Sequence, residues 1–223
     1  MLKTTKVFLL NNNKITSLAK NWLDAFQDLE HLDLSFNKIV SIEEYSFLNF
    51  NLLKVLNLNN NLLEHLNSNH LAGLDNLERL YLNDNLFKAI NDYTFFNLKN
   101  RFSHLDISFN QLLNVREFLF NGLNNLTDLL LNNNQIERIM DDSFQTINNL
   151  KRLDLSNNKL ESVSKKTFNG LASIEKLNLN SNNIKEFDTE ALNGLPNYAS
   201  ISLEDNQITA SYTTLGCVDG KLN

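Results

Sequence analysis

Apolar residues recur along the chain in the frame L-x-x-L-x-L-x-x-N-x-L, as in Leu29, Leu32, Leu34, Asn37 and Ile39, and again in Leu53, Leu56, Leu58, Asn61 and Leu63. The frame's asparagines, Asn13, Asn37, Asn61, Asn85, Asn110, Asn134, Asn158, Asn182 and Asn206, follow one another at intervals of 24 residues, with one interval of 25. Counting each repeat from its first apolar residue, the asparagine is position 9, and the second half adds apolar residues at positions 14, 19 and 22. Position 19 reads Leu23, Phe47, Leu71, Phe95, Phe120, Phe144, Phe168 and Leu192. Side chains alternate across a strand, so the apolar residues at positions 1, 4 and 6 predict a short strand facing a core. Stacking of successive repeats then predicts nine short parallel strands, each followed by a turn and an irregular or briefly helical segment. The asparagine turns the chain out of the strand, and its amide is suited to backbone groups of neighbouring turns that would otherwise lack partners.

Most phenylalanines belong to this inward pattern; only Phe36, Phe96, Phe109 and Phe118 fall outside it. The 24-residue frame with its F-x-x-L second half, as in Leu126 to Asn149 and Leu150 to Ser173, resembles the typical-class leucine-rich repeats of animal extracellular proteins. Toll-like receptors, Slit-type guidance proteins, small proteoglycans and lamprey variable lymphocyte receptors carry such repeats. The resemblance covers about 200 residues. It implies an α/β leucine-rich-repeat solenoid, a horseshoe with a parallel β-sheet on its concave face. It also implies a recognition module without catalysis, binding mostly through the concave strands. The cysteine-rich caps of that family do not occur in this sequence.

End-to-end repeats make residues 1–208 one domain of nine repeats, with 209–223 as a tail forming an incomplete cap. A net charge of −6 argues against wholesale nucleic-acid binding, which wants a basic surface. No apolar run reaches the roughly 18 residues that span a bilayer, so membrane insertion by this chain is not expected. The lone Cys217 makes no internal disulfide. With both ends uncapped, the chain reads as part of a longer extracellular or cell-surface protein. A homo-oligomer joined through those ends is the alternative.

Catalysis and cofactors are not expected, because repeat spacing keeps candidate groups apart. His31 and His104 are three repeats apart, about 14 Å at a strand spacing of about 4.8 Å, too far to share a metal ion bound at about 2 Å. Asp106 and Asp154 fall about 10 Å apart, beyond the usual carboxylate pair of a glycosidase. Neither a phosphate-binding glycine loop nor a nucleophile elbow is present. Asn125-Leu126-Thr127 is the one glycosylation sequon.

Positions 2, 3, 5, 7 and 8 are expected on the concave surface. Tyr81 beside Arg79 and Asp84 is the leading candidate contact, since Tyr and Arg are frequent interface hot spots. A basic lane of Arg79, Arg152 and Lys176, with Lys151 beside it, faces Asp106 and Asp154; Asp128 is expected to compensate His104 and Arg152 across strands. The segment from His31 through Asp33 and Phe36 to Asn37 returns as His104, Asp106, Phe109 and Asn110, 73 residues on. That recurrence suggests duplication of a three-repeat block. These residues together predict a protein ligand or receptor partner lying across repeats 2 to 8. A self-associating scaffold and a glycan- or lipid-binding module of innate immunity are the other readings.

Overall fold

The computed structural model describes residues 5–98 and 100–209; the tail from residue 210, with Cys217, lies outside them. Nine parallel strands form one sheet in sequence order: Val7–Leu9, His31–Asp33, Val55–Asn57, Arg79–Tyr81, His104–Asp106, Asp128–Leu130, Arg152–Asp154, Lys176–Asn178 and Ser200–Ser202. Each strand covers positions 3 to 5, and the central leucine of the seven inner strands is almost wholly buried. Registration is residue for residue, with Leu32 beside Leu56 and Leu105 beside Leu129. This is the expected solenoid with a parallel sheet on one face.

Behind the sheet, position 19 supplies a column of large side chains. Phe47, Phe95, Phe120, Phe144 and Phe168 are fully buried, and the rings of Phe120 and Phe144 stack at 6.0 Å. Burying such a ring contributes about 1.5–3 kcal/mol, so this column and the leucine rows carry much of the stability.

The asparagine ladder joins coil to coil. Asn37 donates from Nδ2 to the carbonyls of Leu10, Leu34 and Ser35 at 2.9–3.1 Å, and its Oδ1 accepts the N–H of Ile15 at 3.0 Å. Asn110 repeats the arrangement one residue longer, taking the N–H of Phe87 across the 25-residue repeat. A second ladder escapes the apolar frame. Asn76, Asn100, Asn125 and Asn149, at position 24, each donate to a carbonyl 25 residues earlier, at 2.7–3.4 Å.

Among the described residues the convex side is made of turns and two-residue strands, with one 3-10 helix, Thr189–Leu192, capped by the Asp188 carboxylate. Its joints alternate from repeat 2 to repeat 7, whereas repeat 1 turns at position 17 as repeat 2 does, at Asn21 with φ 61°. Repeats 2, 4 and 6 turn at position 17 with a left-handed Tyr45, Tyr93 or Asp142, φ 66°, 60° and 62°. Each of these donates its N–H to the position-17 carbonyl of the next coil, that of Asn69, Phe118 or Lys166. Repeats 3, 5 and 7 turn instead at position 21, through Gly73, Gly122 and Gly170 with φ 92°, 87° and 96°. A β-carbon on Gly73 would lie 2.4 Å from the Leu48 carbonyl oxygen of the preceding coil, and one on Gly170 2.5 Å from that of Phe144. Repeats 3 and 7 thus seat a bare backbone on the even repeat before them.

Candidate functional site

The concave face is built from positions 3 and 5 of each strand. Along position 3 the register runs Val7, His31, Val55, Arg79, His104, Asp128, Arg152, Lys176, Ser200. Along position 5 it runs Leu9, Asp33, Asn57, Tyr81, Asp106, Leu130, Asp154, Asn178, Ser202. Arg79, Tyr81, His104, Asp106, Asp128, Arg152, Asp154 and Lys176 therefore form one contiguous patch on repeats 4 to 8. His31 and Asp33 stand apart from it, with two strands between them and His104.

At the centre of the patch the ring of Tyr81 leans on that of His104, centroids 5.1 Å apart. Burial pushes the imidazole below its ordinary pKa of 6.5; Asp128 and Asp106 oppose that shift, and Arg79 and Arg152 add to it. Burial thus favours the neutral imidazole, and the tyrosine–histidine pair is an amphipathic platform bordered by charge.

Charge pairing departs from the cross-strand expectation at Arg152, although the Asp128 charge does act on His104. Asp128 stands in register between His104 and Arg152, but its Oδ2 accepts from the Thr127 hydroxyl at 2.8 Å. Arg152 reaches along its own strand to Asp154, Nη2 to Oδ2 3.7 Å, while half of its side chain stays exposed. The physical reason is that residues two apart on a strand share a face, so Asp154 competes with Asp128 for the same guanidinium. At position 2 a separate line of charge borders the sheet: Glu30 accepts from Lys6 at 2.6 Å and from Lys54 at 2.5 Å. Hydrogen bonds from Lys54 and Lys6 hold its carboxyl down at about 2.

Positions 7 and 8 do not extend the strand surface as expected. Ser35, Ser108 and Ser156, at position 7, are buried, and Asp33, Asp106 and Asp154 each accept the N–H of the serine two residues on. All nine residues at position 8, Asn12, Phe36, Asn60, Asp84, Phe109, Asn133, Asn157, Ser181 and Asp205, are left-handed with φ of 52–57°. They form a turn row at the rim of the sheet. Asp84 is tied there by the Asn83 amide at 2.8 Å. A left-handed turn disfavours a bulky side chain by about 1–2 kcal/mol and suits Asn and Asp best.

One exposed cluster lies outside the concave face. Tyr93 stacks on Phe118 at 5.7 Å and meets Phe96 edge-on at 6.1 Å, on the convex turns of repeats 4 and 5. The signal in the sequence was the pair of phenylalanines left over from the inward frame. A polar hollow of about 390 Å³ along Ser162–Val163 and Glu186–Phe187 also lies on that side.

Several solved structures have this architecture. A leucine-rich repeat protein of Leptospira interrogans superposes with a TM-score of 0.79 at 30% identity, over 92% of this chain and 50% of that one. TLR13, in its complex with ssRNA13, matches with a TM-score of 0.78 at 28% identity, over 81% and 25%. The octameric complex of Latrophilin 3, Unc5D and the FLRT2 leucine-rich repeats gives 0.84 at 23%, over 94% and 64%, a likeness of fold alone. The chain thus spans less than two thirds of each of these relatives. No curated protein matches its sequence. The leucine rich repeat model matches residues 27–87, 101–160 and 148–208, and the chain belongs to the leucine-rich repeat family.

Proposed function

We propose that this chain is a non-enzymatic recognition module that binds a protein partner on its concave face, as part of a receptor or secreted protein at the cell surface. The observation that carries this reading is the Tyr81–His104 platform, set mid-sheet and edged by the exposed Arg79 and Arg152. A tilted aromatic pair ringed by charge has the chemistry of an interface hot spot, with the surrounding charges setting orientation. Nine strands at about 4.8 Å give a face about 40 Å long, enough for a standard interface of about 800 Å² per side. The FLRT2 repeats stand in a complex with other proteins, which supports a protein partner. The TLR13 complex holds RNA, but this chain's net charge of −6 disfavours a polyanion.

Domains selected on the full chain from a display library of extracellular proteins test the reading. Tyr81→Ala and Arg152→Ala should each weaken the selected complexes by more than about 1 kcal/mol; unchanged affinity in both removes it. A scaffold that self-associates is the second reading, favoured by the Tyr93, Phe96 and Phe118 cluster. Larger particles in light scattering at micromolar concentration, lost on Phe118→Ser, would select it.

A further inference from the structure

Phe36 and Phe109 occupy one place, position 8 of repeats 2 and 5, each with φ 52° and with 52% and 51% of its surface exposed. Six of the other seven residues in that row are Asn or Asp, and the seventh is Ser181. Short polar side chains suit both the left-handed turn and water; phenylalanine suits neither. Half of each ring's surface stays in water, and a residue unsuited to its turn at two equivalent places points to use.

Copying of a whole three-repeat block does not account for the pair. Repeat 2 turns its convex segment at Tyr45, φ 66°, whereas repeat 5 turns at Gly122, φ 87°. The likeness is strongest in the concave half, where a ligand would be met. Beside each ring the strand carries the same carboxylate, Asp33 or Asp106, whose Oδ1 accepts a serine N–H at 2.9 Å. Asp84 and Asp128 stand on the coils either side of Phe109, and at strand positions 3 and 5 between the two sites Arg79 is the one cation. Three coil spacings of about 4.8 Å separate the rings by about 14 Å, and four residues of extended chain cover about 13 Å with both side chains on one face.

We propose that Phe36 and Phe109 are paired anchors for an extended basic segment of a protein partner, which runs along the solenoid across repeats 2 to 5 and lays apolar side chains four residues apart on the two rings. This rests on the concave-face reading and specifies the partner's chemistry. Lysine or arginine on the same edge of the segment meets Asp33 and Asp106.

A random nonapeptide display library selected on the full chain tests it. Synthetic versions of the enriched peptides are then measured by fluorescence anisotropy on the parent chain, the Phe36→Asn, Phe109→Asn double variant and Tyr81→Ala, with thermal melts of each. Enriched peptides should carry apolar residues at i and i+4 with lysine or arginine nearby. The double variant should bind them at least tenfold more weakly yet melt at or above the parent temperature, because asparagine suits the turn. Peptides without that spacing, or bound equally by the double variant, overturn the anchors. If such peptides still lose affinity on Tyr81→Ala, the concave-face reading stands. A library with no enrichment also overturns the anchors, and a random single-stranded RNA pool bound in its place overturns both.

Discussion

Tyr81 and His104 meet across neighbouring strands with ring centroids 5.1 Å apart and planes tilted by 47°, and this contact makes the imidazole's burial part of the fold. The folded pKa lies below the ordinary 6.5, so below that value the unfolded chain takes up more protons than the folded one. Stability from this group is complete above about pH 6.5 and falls as pH drops from there through the folded pKa. Thermal melts at pH 7.5 and 5.0 should show a larger decrease for the parent chain than for His104→Gln. Equal decreases would contradict the assignment.

Glu30 clips three coils together through Lys6 and Lys54. Its carboxyl is depressed from 4.5 to about 2, so the stability it adds is present above pH 4.5 and is lost as pH falls toward 2. Because the three groups remain partly exposed, salt weakens the clip. Urea melts should show that Glu30→Gln removes part of the loss between pH 5 and 2.5 and part of the salt sensitivity at pH 7.

Asn110 shows the weight of one ladder residue. Alanine there leaves the N–H of Phe87 without its acceptor in a dry interior and takes one of two amide donors from each of the carbonyls of Leu82 and Ile107, which keep only Asn85 and Asn134. A loss of about 3 kcal/mol is expected in chemical denaturation, against less than about 1 kcal/mol for Asn76→Ala at the exposed second ladder.

Gly73 and Gly194 occupy the same repeat position in different surroundings. A β-carbon at Gly73 strikes Leu48 backbone in a left-handed turn, while one at Gly194 meets nothing within 4 Å. Gly73→Ala should therefore destabilise by at least about 2 kcal/mol and Gly194→Ala by less than about 0.5 kcal/mol. Similar losses in the two denaturation curves would refute the seating of repeat 3 on repeat 2.

The solenoid was legible in the sequence because one asparagine and a few leucines per repeat state the strand, the turn and the core together. Phe36, Phe96, Phe109 and Phe118, set aside by that frame, are the four phenylalanines that stand at 40% exposure or more. Periodicity did not reveal backbone handedness: Phe36 and Asp84 read as strand neighbours, yet they stand in left-handed turns, since an alternating pattern carries no information about φ. Nor did it settle which carboxylate Arg152 takes, because Asp128 and Asp154 present equal charge and only side-chain reach separates them. The second asparagine ladder was hidden by abundance, its members Asn76, Asn100, Asn125 and Asn149 lying amid many other asparagines.

From repeat 2 to repeat 7 the alternation between a turn at position 17 and a glycine at position 21 gives the solenoid a parity, which repeat 1 breaks with its own left-handed turn at Asn21. Within that span, removing one repeat would bring two coils of the same kind into contact. Removing an adjacent even and odd repeat would leave every remaining joint with its proper neighbour. A solenoid of this kind can be lengthened or shortened over evolutionary time most readily in steps of two coils, and engineered versions should be cut by the same rule.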